Sequence, residues 1–461
     1  MDQSPPRARL SPRRSAAAAA LPATASAATP AHLAGSAAAA AQVAAAPTAA
    51  PRAAGVAVAA AAGAAPSWPA APAPRTAGPA PCPAEPPPLA LYLHLPWCLH
   101  KCAYCDFNSH ALRDELPEAR YLAALRADLE AALPLVWGRS VVSVFLGGGT
   151  PSLFSADGIA ALIADLRARL RLVADCEITL EANPGTFERE RFRGYRAAGV
   201  TRLSLGVQSF DDRCLRALGR VHDAAQARAA AELAAATFPA FNLDLMYALP
   251  GQTPAMLEAD LDAALALQPP HLSVYHLTIE PNTLFAARPP QLPDEDAASA
   301  MLDRIVERSA GAGLRRYEVS AFARPGQHCR HNLNYWRFGD YLGIGAGAHG
   351  KLSLPQGIVR QQRWREPQRY LEQALAGRAL AAEHPVEPAQ LPFEFMLNAL
   401  RLADGVEREL FTQRTGLDDA AIAATVRRAQ ARGLMEPDPL RLRATPRGFD
   451  FLSELQALFL P

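Results

Sequence analysis

The chain has 461 residues, half of them hydrophobic, which is enough for two or three domains and a large core. Its formal net charge of +1 gives no electrostatic reason to bind nucleic acid or an acidic partner. No run of about twenty strongly apolar residues is present, which excludes an integral membrane span. The stretch "AAGVAVAAAAGAA" (53–65) is too short and too alanine-rich for one, and it lacks a signal-peptide layout.

Residues 1–88 are Ala/Pro-rich low complexity, with Trp68 as their only aromatic residue. Such a segment buries too little apolar surface to offset its ordering entropy, so a disordered extension is expected. A transit peptide, opposed by the many prolines, and a misassigned start codon are the alternatives. From Leu89 short apolar runs alternate with helical patterns. Strands are predicted at 91–95, 141–146, 177–181, 202–207, 241–249 and 271–277, and helices at 118–133, 155–170 and 253–267 between them. Six β-α units in a row imply a parallel sheet with crossover helices, too few for a closed eight-stranded barrel. The expected fold class is therefore α/β, a partial (β/α)6 TIM-like barrel over residues 89–322, open at one side. A helix at 294–312 and a strand at 316–322 end that unit. Residues 323–382 read as a connecting segment holding "HNLNYW" (331–336) and a glycine-rich "GIGAGAHG" (343–350). Residues 383–461 read as a winged-helix-like domain, with helices at 393–402, 417–435 and 449–460 and a short hairpin at 440–448. That shape alone is no argument for DNA binding.

Seven cysteines is an odd number, and only three of them cluster. Cys82, Cys176, Cys214 and Cys329 are scattered, which fits a reducing, cytoplasmic location and one metal site rather than a disulfide framework. Cys98, Cys102 and Cys105 stand at C-x3-C-x2-C spacing just after the first strand. Thiolates are soft ligands, suited to zinc or to an iron–sulfur cluster. Structural zinc would need a fourth ligand, from His94, His100 or His110. A four-iron cluster would instead keep one iron open. "GGGTPS" (147–152) follows the second strand, where glycines let the backbone approach a ligand. Glu181, Gln208 and Asp244 fall at or near successive strand ends, and polar groups there are costly to bury without a partner.

This arrangement resembles the radical S-adenosylmethionine (SAM) superfamily. Over 89–461 it is similar to the branch that holds oxygen-independent coproporphyrinogen III oxidase and the heme chaperones. The resemblance rests on "LYLHLPWC", "CAYCDFNSH", "FLGGGTPSL", "EANPGT", "RLSLGVQSF", "LGRVH", "NLDLMYALPGQT", "LSVYHLTIEPNT" and "HNLNYW" together. It implies that Cys98, Cys102 and Cys105 bind a [4Fe-4S] cluster. It implies SAM contacts at Tyr92, Tyr104, Gly148, Gly149, Thr150, Glu181, Gln208, Arg220 and Asp244. The oxidases carry a further cysteine where this chain has Phe107, and an ordered segment ahead of the barrel where it has the Ala/Pro tract. Both departures favour the chaperone side. So does "HNLNYW", which matches the chaperones' H-N-x-x-Y-W pattern and implies heme contact through His331, Tyr335 and Trp336, with Cys329 and His328 as weaker candidate ligands. The implied function is to bind heme and deliver it to an acceptor protein, a membrane-associated respiratory protein being one candidate; a homodimer is also carried as an expectation. The alternative is an enzyme that cleaves SAM to a 5′-deoxyadenosyl radical and decarboxylates coproporphyrinogen III to protoporphyrinogen IX.

Overall fold

The structure is a computed structural model and describes residues 81–185 and 188–461. The disorder expected of the N-terminal extension therefore lies, up to Ala80, outside the described residues. Pro81–Pro88 lie against the folded unit: Cys82 Sγ donates to Leu354 O at 3.0 Å, and Arg139 Nη2 donates to Pro87 O at 2.5 Å.

Six strands run parallel: β1 (Leu89–Leu95), β2 (Ser140–Gly148), β3 (Arg171–Ala182), β4 (Arg202–Gln208), β5 (Ala240–Tyr247) and β6 (His271–His276). The connections carry α1 (Glu118–Val136), α2 (Ala156–Arg169), α3 (Glu188–Ala198), α4 (Asp212–Leu218), α5 (Ala224–Thr237) and α6 (Pro254–Ala266). Local chemistry sets the helix starts. Ser155 accepts from Gly158 N, Asp211 from Arg213 N, and Asp223 forms a capping box with Gln226.

Side chains alternate between two faces along the strands, apart from register shifts at Val141/Ser143 and Gly206/Gln208. Leu89, Leu91, Leu93 and Leu95 of β1 join Ile178, Leu180, Leu203, Leu205, Leu243 and Leu272 in the core beneath the helices. Many intervening residues of β3 to β6 are polar: Thr179, Ser204, Asn242, Asp244, His271 and Ser273 fall on the opposite, inner face.

The sheet does not stop at six strands. After helix α7 (Glu295–Gly311), β7 (Arg315–Arg316) and β8 (Ala321–Ala323) extend it antiparallel beyond β6. The segment 323–382, expected as a connector, supplies helix α8 (Arg330–Trp336), strands β9 (Asp340–Gly345), β10 (His349–Leu354) and β11 (Gly357–Arg363), and helix α9 (Pro367–Leu375). With β12 (Leu380–Pro385) the order is β12-β11-β10-β9-β1-β2-β3-β4-β5-β6-β8-β7, an open sheet. β9 pairs parallel with β1, so β1 is interior to the sheet.

A second core belongs to the C-terminal module, where Phe395, Phe411, Ile422, Val426 and Leu455 pack with Tyr335, Trp336 and Phe338. Its helices include Leu391–Ala399 and Ala420–Ala431. The hairpin expected at 440–448 is displaced: Met435 bridges Ala444 antiparallel, and Glu436 N donates to Arg443 O at 3.0 Å. Arg441–Leu442 pairs instead with Val406–Glu407, and Pro446–Asp450 is helical, started by Thr445 and by a proline at its first position.

Candidate functional site

The loop after β1 closes on itself before it meets anything else. Trp97–Cys98 pairs parallel with His110–Ala111, and His110 N donates to Pro96 O at 2.7 Å. Trp97 packs edge-on against Tyr121. Asn108 Nδ2 ties the loop to the turn after β9 through Ala346 O at 2.9 Å. The turn after β2 is zipped onto the same loop: Gly149 N donates to Leu95 O at 2.8 Å and Thr150 N to Trp97 O at 2.7 Å. Glycine is needed at 149, because a Cβ there would stand 2.6 Å from Trp97 O.

The three cysteines face one cavity of about 190 Å³ at the carboxyl ends of the strands. Its wall also carries Tyr104, Gly148, Gly149, Thr150, Glu181, Gln208, Arg220 and Asp244. Tyr92 is not brought to it. Its hydroxyl lies 3.0 Å from His94 Nδ1, and its ring stacks on Phe145 within the inner face.

Glu181 accepts from Gly148 N at 3.1 Å. Burial, with the Asp244 carboxyl nearby, raises its pKa to about 8. Asp244 is raised too, chiefly by burial, against hydrogen bonds from Ser204 and Asn242. Gln208 ends β4 at φ 68, beside a register shift between Gly206 and Gln208. A non-glycine residue in that region is strained, a feature that clusters at ligand sites. Arg220, for which a surface salt bridge was the plain alternative, has no carboxylate partner among the described residues and turns inward to Gly206 O and Asn183.

Among the described residues each of these thiols has one side-chain partner. Thr150 Oγ1 donates to Cys98 Sγ at 3.4 Å and Arg220 Nη1 to Cys102 Sγ at 3.5 Å, while Ser109 Oγ lies 3.5 Å from Cys105 Sγ. Burial pushes the Cys98 thiol up to about 11, and the Thr150 hydroxyl works against that shift. Asn183 and Ser109 were not among the expected site residues, although both lie inside motifs quoted from the sequence.

Of the three candidate fourth ligands for zinc, His100 lines the cavity with the cysteines and the other two are engaged elsewhere. His94 is buried with both ring nitrogens hydrogen-bonded, to Tyr92 and to Asn108 O, and His110 bonds Asn108 Oδ1. Among the described residues no three His, Cys, Asp or Glu side chains are grouped to hold a single metal ion. Three thiols around one cavity, each beside its own hydrogen-bonding side chain, fit a [4Fe-4S] cluster with one open iron. Such a cluster with SAM supplies one-electron reduction chemistry when bound.

The three expected heme contacts lie elsewhere, buried in core packing. His331 is 1% exposed, with Nδ1 3.1 Å from Ser143 Oγ and Nε2 3.0 Å from Tyr335 OH. Burial lowers its pKa to about 3. Tyr335 stacks edge-on with Tyr341, and the Arg401 guanidinium lies over Trp336. Cys329 is buried beside Glu177, and His328 stacks on Tyr317.

Comparison with known proteins agrees with this geometry. Residues 92–264 match the Radical SAM superfamily and residues 386–451 the HemN C-terminal domain. The heme chaperone HemW of Escherichia coli (strain K12) is 48% identical over 376 residues, covering 81% of this chain and 98% of that protein. That of Haemophilus influenzae is 47% identical over 380 residues, with the same coverage. The bovine mitochondrial radical S-adenosyl methionine domain-containing protein 1 is 36% identical and covers 79% of this chain and 86% of its own. Among solved structures, coproporphyrinogen III oxidase (HemN) from Escherichia coli superposes with a TM-score of 0.69 at 26% identity, covering 81% of this chain and 90% of that one. The chain therefore belongs to the heme chaperone HemW family of radical SAM proteins.

Proposed function

We propose that the protein binds heme and delivers it to an acceptor protein, and that it carries a [4Fe-4S] cluster on Cys98, Cys102 and Cys105 with SAM at the open iron. The observation that carries the reading is Phe107, which lines the cavity at the position where the oxidases supply a further cysteine. The names of the relatives support it, and so does the cavity. Glu181 and Asp244 offer acceptors to an amino group or hydroxyls, and Gly148 and Gly149 leave room for a ligand to approach the backbone. Heme contact at His331, Tyr335 and Trp336 belongs to the same proposal and has a structural condition. Helix α8 has to leave its seat before either ring nitrogen of His331 is offered to iron. The seven cysteines are free, which suits a reducing, cytoplasmic location. The homodimer and a respiratory acceptor remain part of the proposal.

The fold shared with coproporphyrinogen III oxidase favours one second reading, oxidative decarboxylation of coproporphyrinogen III. Anaerobically reconstituted protein, incubated with SAM, reductant and coproporphyrinogen III, separates the two. The carrier reading expects no protoporphyrinogen and a saturable, stoichiometric hemin titration. Decarboxylated product at catalytic turnover would overturn it.

A further inference from the structure

One side chain outside the expected cofactor contacts joins the donors of two cluster cysteines. Asn183 follows β3, two residues beyond Glu181. Its Nδ2 donates to Thr150 Oγ1 at 2.9 Å, and its Oδ1 accepts from Arg220 Nη2. Thr150 donates in turn to Cys98 Sγ, and Arg220 to Cys102 Sγ.

The direction of each bond follows from donor and acceptor chemistry. Arginine has only donors, so the Asn183 atom that faces it must be the oxygen. That turns the amide NH2 toward Thr150, whose oxygen has to accept it. A hydroxyl has one hydrogen, and the only role left for it here is donation to Cys98. Gly206 makes the arrangement possible: a Cβ there would stand 2.7 Å from Asn183 Oδ1. Arg220 is held further by donating to Gly206 O at 2.8 Å.

Hydrogen bonds to the sulfurs are among the factors that set iron–sulfur reduction potentials, and residues behind the ligands orient such donors. A donor stabilises negative charge on sulfur, and one-electron reduction adds a negative charge to the cluster. We propose that Asn183 is a positioning residue: it aligns Thr150 and Arg220 as donors to Cys98 and Cys102 and so raises the reduction potential of the cluster. The inference rests on the three cysteines holding the cluster, and it holds for carrier and enzyme alike.

The test is a potentiometric titration of the reconstituted full chain, without SAM, followed by the electron paramagnetic resonance of the reduced cluster. Iron and sulfide are measured on each sample. Thr150→Val removes the hydroxyl and is expected to lower the one-electron reduction equilibrium about tenfold, about 59 mV. Thr150→Ser restores the donor and the potential. Asn183→Asp keeps the shape and the bond from Arg220, but its second oxygen accepts the Thr150 hydrogen and takes it from Cys98. It is expected to lower the potential in the wild-type background and to lower it less beside Thr150→Val, where that bond is already gone. Unchanged potentials in Thr150→Val and Asn183→Asp, with full iron and sulfide, would overturn the inference. Should Thr150→Val hold no cluster, Asn183→Ala decides: it removes the alignment of both donors without adding a charge and is expected to lower the potential. A wild type without iron and sulfide would be a different failure, that of the cluster assignment.

Discussion

Ser143→Ala tests whether heme reaches His331 by moving helix α8. Ser143 lies on β2, fully buried, with its hydroxyl 3.1 Å from His331 Nδ1. Its removal deletes one buried hydrogen bond and leaves that nitrogen without a partner, at about 1.4 kcal/mol. The substitution leaves His331, Tyr335 and Trp336 intact, so it weakens the seat without altering the expected contacts. If heme binds only the displaced helix, its apparent affinity is the intrinsic affinity reduced by the displaced fraction. Weakening the seat by about 1.4 kcal/mol then raises hemin affinity about tenfold. The assay is a hemin titration by absorbance on cluster-loaded protein, paired with urea unfolding to confirm a stability loss of about 1.4 kcal/mol. His331→Ala is expected to move affinity the other way. A stability loss with unchanged hemin affinity would refute the displacement and place heme on another surface.

Other substitutions and conditions have definite expectations. Cys102→Ala should lose iron and sulfide while its circular dichroism stays that of the wild type, since among the described residues the thiol bonds only to Arg220; full cluster content would remove the assignment. Gly149→Ala puts a Cβ against the backbone of Pro96 and Trp97, so reconstitution should load less cluster, read as iron per chain; normal loading would show that the turn yields. Acid should destabilise the protein. Burial holds His94, His222 and His349 at about 4 and His331 at about 3, so between these values and about 6.5 the unfolded chain binds more protons and stability falls as pH falls. Glu181 at about 8 and Asp260 at about 6, both raised by burial, act in the opposite sense. His271, also lowered by burial, adds to the first set, and Asp244, also raised, to the second; the histidines outnumber the carboxyls, so stability is expected to fall from pH 6 to 5, measured by urea unfolding of cluster-free protein. A flat profile would contradict the buried, neutral state of these histidines.

The parallel core was legible because its signal is local. Each of the six strands announced itself as a short apolar run, and observed and expected ends agree closely except at β3, which begins early at Arg171. The inner face was only partly read. Glu181 and Asp244 stood out, whereas Thr179, Ser204 and Ser273 are small polar residues whose shared face appears only once the strand period is applied through all four strands. Strands β9 and β10 were hidden by "GIGAGAHG", because glycine lowers strand propensity. The glycine is steric: a Cβ on Gly343 would stand 1.9 Å from His349 O. The cysteine triplet is a local motif and was found. Asn183 was not, because its importance lies in contacts 33 and 37 residues away. "HNLNYW" shows why a motif does not report exposure. His331 and Tyr335 stand four apart on one helical face, a spacing that serves a ligand pocket or, as here, a hydrogen bond inside a core.

The placement of β1 bears on how the protein matures. Its second neighbour, β9, pairs Leu89 with Asp340, about 250 residues further along the chain. At ribosomal speeds of roughly 5–20 residues per second, that partner emerges some tens of seconds after the cysteines do. Asn108 likewise has no carbonyl to hold until Ala346 has been made. Through that interval the thiols sit on a strand with one neighbour and a loop without its anchor, exposed to oxidation and to the wrong metal. The order of synthesis therefore favours insertion of the cluster after the chain has left the ribosome, into a loop whose shape is set by its last-made contacts.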